Sequence, residues 1–172
     1  LYGCFMGHFR VCDIERVRPD LLRALPSLAV TRNPWARTYS AWKFACKGPE
    51  MTDGAQIRHA ERYRGALFAS FERFVMEWLP GRVLGREDYV FRPQTHFLLT
   101  RAGEIGVTHL GRIEDVGTFL PFLEESLGRR VKIGHLNRTT DPFRYRNAYT
   151  PEMREMVARC YAADLERFPY EF

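Results

Sequence analysis

The residues best suited to chemistry lie where a short apolar run, residues 28–31, meets a helical pattern. Arg32 ends that run, and Asn33-Pro34 follows it. Asparagine is a good helix N-cap and proline fits the first helical position. We therefore expect Arg32 at the end of a buried strand, beside the partly positive start of a helix. Ser40 lies about two turns into that helix. A guanidinium, helix N–H groups and a hydroxyl so placed can bind an anion such as phosphate.

The same spacing also fits an ordinary helix entry with an exposed arginine and no ligand. Ligand binding remains an equally good interpretation, because open α/β sheets bind ligands at strand-to-helix junctions. Arg37, one turn into the helix, suits either an auxiliary contact to the anion or a pairing with an acidic neighbour. Three aromatic residues of this helix are interpreted as core rather than as adenine-stacking side chains, namely Trp35, Tyr39 and Trp42.

Short apolar runs alternate with helical patterns, which predicts an α/β fold with a small, mostly parallel sheet flanked by helices. We expect one domain spanning residues 1–172. Strands are predicted at 28–31, 107–110 and 129–133. Helices are predicted at 19–25, 34–46, 93–99 and 115–127, with a largely helical stretch over 55–78. The last helix begins at Pro151 and is capped by Thr150.

The composition limits the classes of protein that this chain can belong to. Of its 172 residues 45% are hydrophobic, but no run approaches the ~20 consecutive apolar residues of a membrane span. The net charge is +5, and only three of the 26 basic residues are lysine. Arginine suits bidentate contacts to phosphate, sulfate or carboxylate, although a GC-rich genome gives the same bias. The four cysteines are scattered, which favours neither a zinc site nor a disulfide framework and is typical of a cytoplasmic protein.

Three separated groups of residues resemble the carbohydrate (glycosaminoglycan-type) sulfotransferases and their bacterial relatives. Residues 31–42, Thr-Arg-Asn-Pro-Trp-Ala-Arg-Thr-Tyr-Ser-Ala-Trp, are similar to the family's 3′-phosphate motif. The second group comprises residues 70–75, 92–94 and 110–115. The third comprises residues 135–139 and the ending 149–170, which is similar to the family's closing helix. The resemblance extends from about Gly7 to the C-terminus.

The resemblance implies a P-loop-like sulfotransferase fold and the donor 3′-phosphoadenosine 5′-phosphosulfate, with no metal. The acceptor would be a hydroxyl of a carbohydrate or glycoconjugate. Arg32 and Ser40 would hold the donor's 3′-phosphate. His8 lies in a Gly-His segment that resembles one found in a branch of the family. In that branch the histidine is the general base, a role that suits an imidazole because it can accept a proton near neutral pH. The alternative for His8 is a structural histidine bonded to the backbone.

Further nucleotide contacts are implied for a polar loop that the family folds over its donor. In this chain the loop contains Asn137, Arg138 and Thr139, and the alternative is a solvated loop. Glu114 and Asp115 are interpreted as the start of a helix, where acidic side chains favour the dipole, and not as an acid–base pair. Three histidines have no metal-ligand spacing among themselves, namely His59, His96 and His109.

The chain departs from the family in one respect, because it has no Pro-Lys-Thr-Gly-Gly-Thr-like loop for the 5′-phosphosulfate. Either an N-terminal segment is missing, or the chain is a non-catalytic relative that binds a nucleotide or polyanion. We favour the first explanation, because the sequence begins at Leu1 rather than Met and keeps His8 and Arg32. Nucleic acid is not an expected partner, since the basic residues interleave with acids and form no stripe. A eukaryotic source would place the enzyme in the Golgi lumen, and no membrane anchor is visible in the sequence.

Overall fold

The computed structural model describes residues 8–47, 60–134 and 144–172. The chain divides into two compact units. The first unit comprises residues 1–32 and 94–136, and the second comprises residues 33–93 and 137–172. The prediction of a single domain stays a prediction, because two compact units can also form one domain.

Helices outnumber strands in the part of the chain that the structure describes. The two strands are β1 (Leu28–Thr31) and β2 (His109–Arg112). The α-helices are α1 (Val11–Val17), α2 (Pro19–Ala24), α3 (Pro34–Lys47), α4 (Phe71–Arg73), α5 (Thr95–Leu98), α6 (Leu120–Leu127), α7 (Pro151–Cys160) and α8 (Ala162–Arg167). This confirms a mixed α/β class that is mostly helical with a small parallel sheet. No helix among these residues is both long enough and apolar enough to cross a bilayer.

The sheet of the first unit consists of β1 and β2 in parallel, with Leu28 opposite His109 and Thr31 opposite Arg112. Thr31 Oγ1 donates to the carbonyl of Gly111 at 3.1 Å. Gly111 is required by close packing, because a Cβ there would lie 2.4 Å from Cβ of Phe119. The sheet therefore fixes Thr31, the residue that precedes Arg32.

Several strand predictions need correction. The second strand begins at His109, two residues later than predicted, and residues 129–133 form no strand. The first strand has the predicted bounds but is not a buried strand, since Thr31 is its one buried residue and Val30 is 41% exposed. A parallel strand with a single neighbouring strand has less cover than the strands of a larger sheet.

Two predicted helices are more broken than their patterns indicated. The segment predicted over 115–127 is a 3₁₀ turn, Val116–Thr118, followed by α6. The described part of the stretch predicted over 55–78 consists of short 3₁₀ turns, α4 and a π-helical turn, Phe74–Trp78. Ser70 separates these turns, because its extended backbone caps α4 and its Oγ accepts from Arg73 N at 3.2 Å.

The second unit has an aromatic core. The rings of Phe68, Phe74, Trp78 and Phe91 pack with centroids 4.9–6.1 Å apart, which combines large apolar burial with favourable edge contacts. The helices α3 and α7 border this core, and α7 begins as predicted, since Thr150 Oγ1 accepts from Met153 N at 3.3 Å. This core supports α3, the helix that carries Ser40.

Candidate functional site

The backbone of Arg32 is held on both sides by the side chain of Gln94. Arg32 N donates to Gln94 Oε1 at 2.7 Å, and Gln94 Nε2 donates to Arg32 O at 2.9 Å. These two bonds replace the ladder bonds that a neighbouring strand would make. They fix the Cα of Arg32 at the end of β1, so its guanidinium starts from a defined position.

Gln94 has this position because it immediately precedes α5. Phe97 N donates to Gln94 O at 3.0 Å, and Gln94 is 8% exposed. A buried amide must have its donors and acceptors satisfied, and Arg32 supplies one of each. Residues 92–94 belong to the resemblance, which implies no role for Gln94. Its contact with Arg32 spans 62 residues of chain, and no local pattern predicts such a pairing.

Asn33 caps α3 as predicted. Its Oδ1 accepts from Trp35 N at 3.0 Å and from Ala36 N at 3.4 Å. Pro34 has no N–H, and Arg37 N donates to Asn33 O at 2.8 Å. The donors of the first turn therefore bond within the chain. This corrects the expectation that helix N–H groups contribute to an anion site here, and it leaves the contact to side chains.

Other bonds attach the start of α3 to the C-terminal part of the second unit. Asn33 Nδ2 donates to Glu171 O at 2.7 Å, and Trp35 Nε1 donates to Arg154 O at 3.0 Å. Tyr149 hydroxyl donates to Trp35 O at 2.9 Å. Burial raises the pKa of Tyr149 well above its ordinary value, so this hydroxyl stays a donor across the physiological range. The first turn of α3 is rigidly placed within its unit.

The other side chains of α3 divide between core and surface. Trp35 is buried and packs on Phe172, whereas Tyr39 and Trp42 are partly buried against the same core. This confirms that they are core residues. Ser40 is partly exposed and belongs to the second unit, whereas Arg32 ends the first.

Arg37 has a structural contact of its own. Its Nη2 donates to the carbonyl oxygen of Tyr89 at 3.4 Å, where the sequence suggested an anion or an acidic neighbour. The contact lies at the upper end of hydrogen-bond lengths, and both residues belong to the second unit. Arg37 therefore also connects α3 to the segment that directly precedes Phe91.

The proposed base, His8, is exposed, and its ring centroid lies 6.1 Å from that of Phe97. Both residues belong to the first unit, and Phe97 is a residue of α5, which Gln94 precedes. An exposed imidazole can be reached by an acceptor hydroxyl. Asn137, Arg138 and Thr139 lie outside the described residues, so the predicted nucleotide loop stays a prediction.

Asp115 and His109 both make contacts within the fold of the first unit. Asp115 Oδ1 accepts from Gly117 N at 3.0 Å, so Asp115 caps a turn as expected. His109 stacks on Phe122 with centroids 4.5 Å apart, and its Nε2 lies 2.6 Å from Thr118 O. Within the described ranges no group of His, Cys, Asp and Glu side chains could hold a metal ion.

An arginine side chain at the position of Arg32 has the chemistry to bind an anion. Because the main chain of Arg32 is fixed at both its N–H and its C=O, only side-chain rotamers remain to be ordered when its guanidinium binds a planar or tetrahedral oxyanion. The chain matches no protein-family model, and it has no significant match among curated proteins or solved structures.

Proposed function

We propose that this protein is a sulfotransferase that carries a sulfuryl group from 3′-phosphoadenosine 5′-phosphosulfate to a hydroxyl of a carbohydrate or glycoconjugate, on a P-loop-like fold. The resemblance of residues 31–42 to the 3′-phosphate motif of such enzymes suggests the reaction. One structural observation supports it most. The backbone of Arg32 is held by Gln94 at the end of β1, directly before the first residue of the second unit.

The roles of the residues are those that the resemblance implies. Arg32 and Ser40 bind the 3′-phosphate of the donor, and residues 137–139 contact the nucleotide. His8 takes the proton from the acceptor hydroxyl as its oxygen attacks sulfur. The bond between sulfur and the bridging phosphate oxygen breaks, and the products are a sulfate ester and adenosine 3′,5′-bisphosphate.

Calorimetric titration with adenosine 3′,5′-bisphosphate tests the donor site. Arg32→Ala is expected to weaken binding about 10- to 100-fold, the range for loss of a charge-assisted hydrogen bond. Arg23→Ala is the matched control, because Arg23 is an exposed arginine of α2 in the same unit. Absence of binding by the wild-type chain, or equal affinities for wild type and Arg32→Ala, would refute the proposed site.

Transfer of labelled sulfate to carbohydrate acceptors tests the reaction itself. His8→Ala is expected to lower turnover about 10²- to 10⁴-fold, the usual contribution of a general base, with nucleotide affinity unchanged. Unchanged turnover would remove His8 from the mechanism. Tight nucleotide binding without any transfer would instead identify a non-catalytic nucleotide- or polyanion-binding relative.

A further inference from the structure

The second unit contains an open groove of about 560 Å³ that the proposed reaction does not use. Its apolar lining includes Leu79, Leu84 and Met156, and two prolines, Pro80 and Pro93, form further parts of the wall. Leu79 and Leu84 are buried in the aromatic core of the unit. A volume of this size and an apolar lining are typical of sites for small molecules.

Two arginines, Arg82 and Arg159, give the groove a positive charge. The described lining residues include both of them and no carboxylate. The Arg82 guanidinium lies 5.1 Å from the Trp78 ring centroid, and one of its nitrogens is 3.8 Å from Glu87 Oε1. Glu87 is shared with Arg62, at 3.9 Å. Because no carboxylate is among the described lining residues, Arg82 and Arg159 are the charged groups at the surface of the groove.

Arg159 supplies the second charge from α7. Its Nη2 lies 3.8 Å from Met156 Sδ, a weak contact with an uncharged group of the lining. The neighbouring Cys160 is uncharged at neutral pH, because burial raises the pKa of its thiol. The groove thus combines apolar lining residues with two cationic groups.

The wall of the groove is formed at an irregular point of the backbone. Leu79 N donates to Phe74 O, five residues earlier, which closes a π-helical turn before Pro80. Turns of this kind are rare and occur frequently at functional sites. The turn displaces Leu79 and Pro80 from the positions that a regular α-helix would give them, and both residues line the groove.

We propose that this groove binds a small molecule with an apolar body and one anionic group, of the class of medium-chain or aromatic carboxylates. The apolar body lies against Pro80, Pro93 and Met156, the more accessible apolar lining residues, and the carboxylate lies between Arg82 and Arg159. The groove is independent of the proposed sulfuryl-transfer site, because it includes none of His8, Arg32 and Ser40.

The test compares two probes with the same chain length, octanoate and 1-octanol, by titration followed through backbone amide shifts. Octanoate is expected to bind about tenfold more tightly than octanol, with shifts at residues 79–85 and 156–160. In the Arg82→Gln/Arg159→Gln variant the two affinities become equal. Arg64→Gln is the matched control, since Arg64 is an exposed arginine of the same unit and does not line the groove, and this variant keeps the preference.

Near-UV circular dichroism establishes that each variant is folded. If the double variant is unfolded, the single variant Arg159→Gln is titrated instead. It is expected to lower the preference for octanoate over octanol at least about threefold. Equal affinities of the wild type for octanoate and octanol would overturn the proposal. Retention of the preference by the double variant, shifts confined to other residues, or no binding of either probe at millimolar concentration would also overturn it.

Discussion

Replacement of Gln94 by methionine tests whether its side chain fixes Arg32. Methionine has a similar length and suits a buried site, but it can make neither of the bonds at 2.7 Å and 2.9 Å. Each such bond contributes about 1 kcal/mol net, so Gln94→Met is expected to lower the free energy of unfolding by about 2 kcal/mol. The loss is expected to stay below the full cost of unpaired buried groups, because Arg32 is only half-buried.

Urea unfolding followed by circular dichroism measures this change. Gln94→Glu is the informative partner variant, because a protonated carboxyl group can donate to Arg32 O as the amide does, whereas a carboxylate cannot. The pKa of the introduced group is therefore expected to be raised in the folded state. Its stabilising contribution is present below the ordinary pKa of about 4.3 and is lost as the pH rises through the folded value.

The pH dependence separates the two variants. Gln94→Glu should approach wild-type stability in acid and lose it towards neutral pH, whereas Gln94→Met should differ from wild type by the same amount throughout. A loss under about 0.5 kcal/mol in Gln94→Met would refute the reasoning. So would a pH-independent difference between Gln94→Glu and wild type.

Three further predictions concern stability, and urea unfolding checks each. Asn33→Ala removes the cap of α3 and the bond to Glu171, so the free energy of unfolding is expected to fall by about 1–2 kcal/mol. Asn33→Asp keeps the acceptor and should lose less stability. Equal losses in the two variants would contradict the assignment of the cap. Gly111→Ala places a methyl group 2.4 Å from Phe119 Cβ and should cost about 1–3 kcal/mol, whereas Gly81→Ala, with no atom within 4 Å of the added Cβ, should be nearly neutral. Tyr161→Phe removes the bond from the buried hydroxyl to Phe91 O and should cost about 1 kcal/mol at neutral pH. Burial raises the pKa of Tyr161 to about 12. The stabilising contribution of its hydroxyl is therefore fully present below the ordinary pKa of about 10 and disappears as the pH rises to about 12. A stability difference between wild type and Tyr161→Phe that stays constant over this range would contradict the prediction.

Local rules accounted for the features that depend on neighbouring residues. Asn33 and Thr150 cap the helices that their sequences predicted, because a cap needs only a suitable side chain and the N–H groups two or three residues later. The starts of α2 and α3 at prolines follow from the same rules. The strand at residues 28–31 was also placed correctly, since its apolar run is bounded by Pro26 and Asn33-Pro34.

Features that depend on distant contacts were not predictable in the same way. Gln94 lies 62 residues from Arg32 in the chain. No local pattern predicts the two hydrogen bonds by which it fixes the backbone of Arg32. The start of β2 at His109, two residues after the predicted one, is set by pairing with β1. Residues 129–133, Arg-Arg-Val-Lys-Ile, were predicted as a strand, but so short a segment does not by itself distinguish a strand from a loop.

The side chain of Asn33 bonds both to the first turn of α3 and to the carbonyl of Glu171. Opening of the C-terminal tail therefore removes a restraint on the cap, and fraying of the cap releases the tail. We expect the amide hydrogens of Trp35 and Ala36 to exchange with solvent in a single local opening that includes residues 171–172. Hydrogen exchange at these two amides would then report on a segment that lies more than a hundred residues away in sequence.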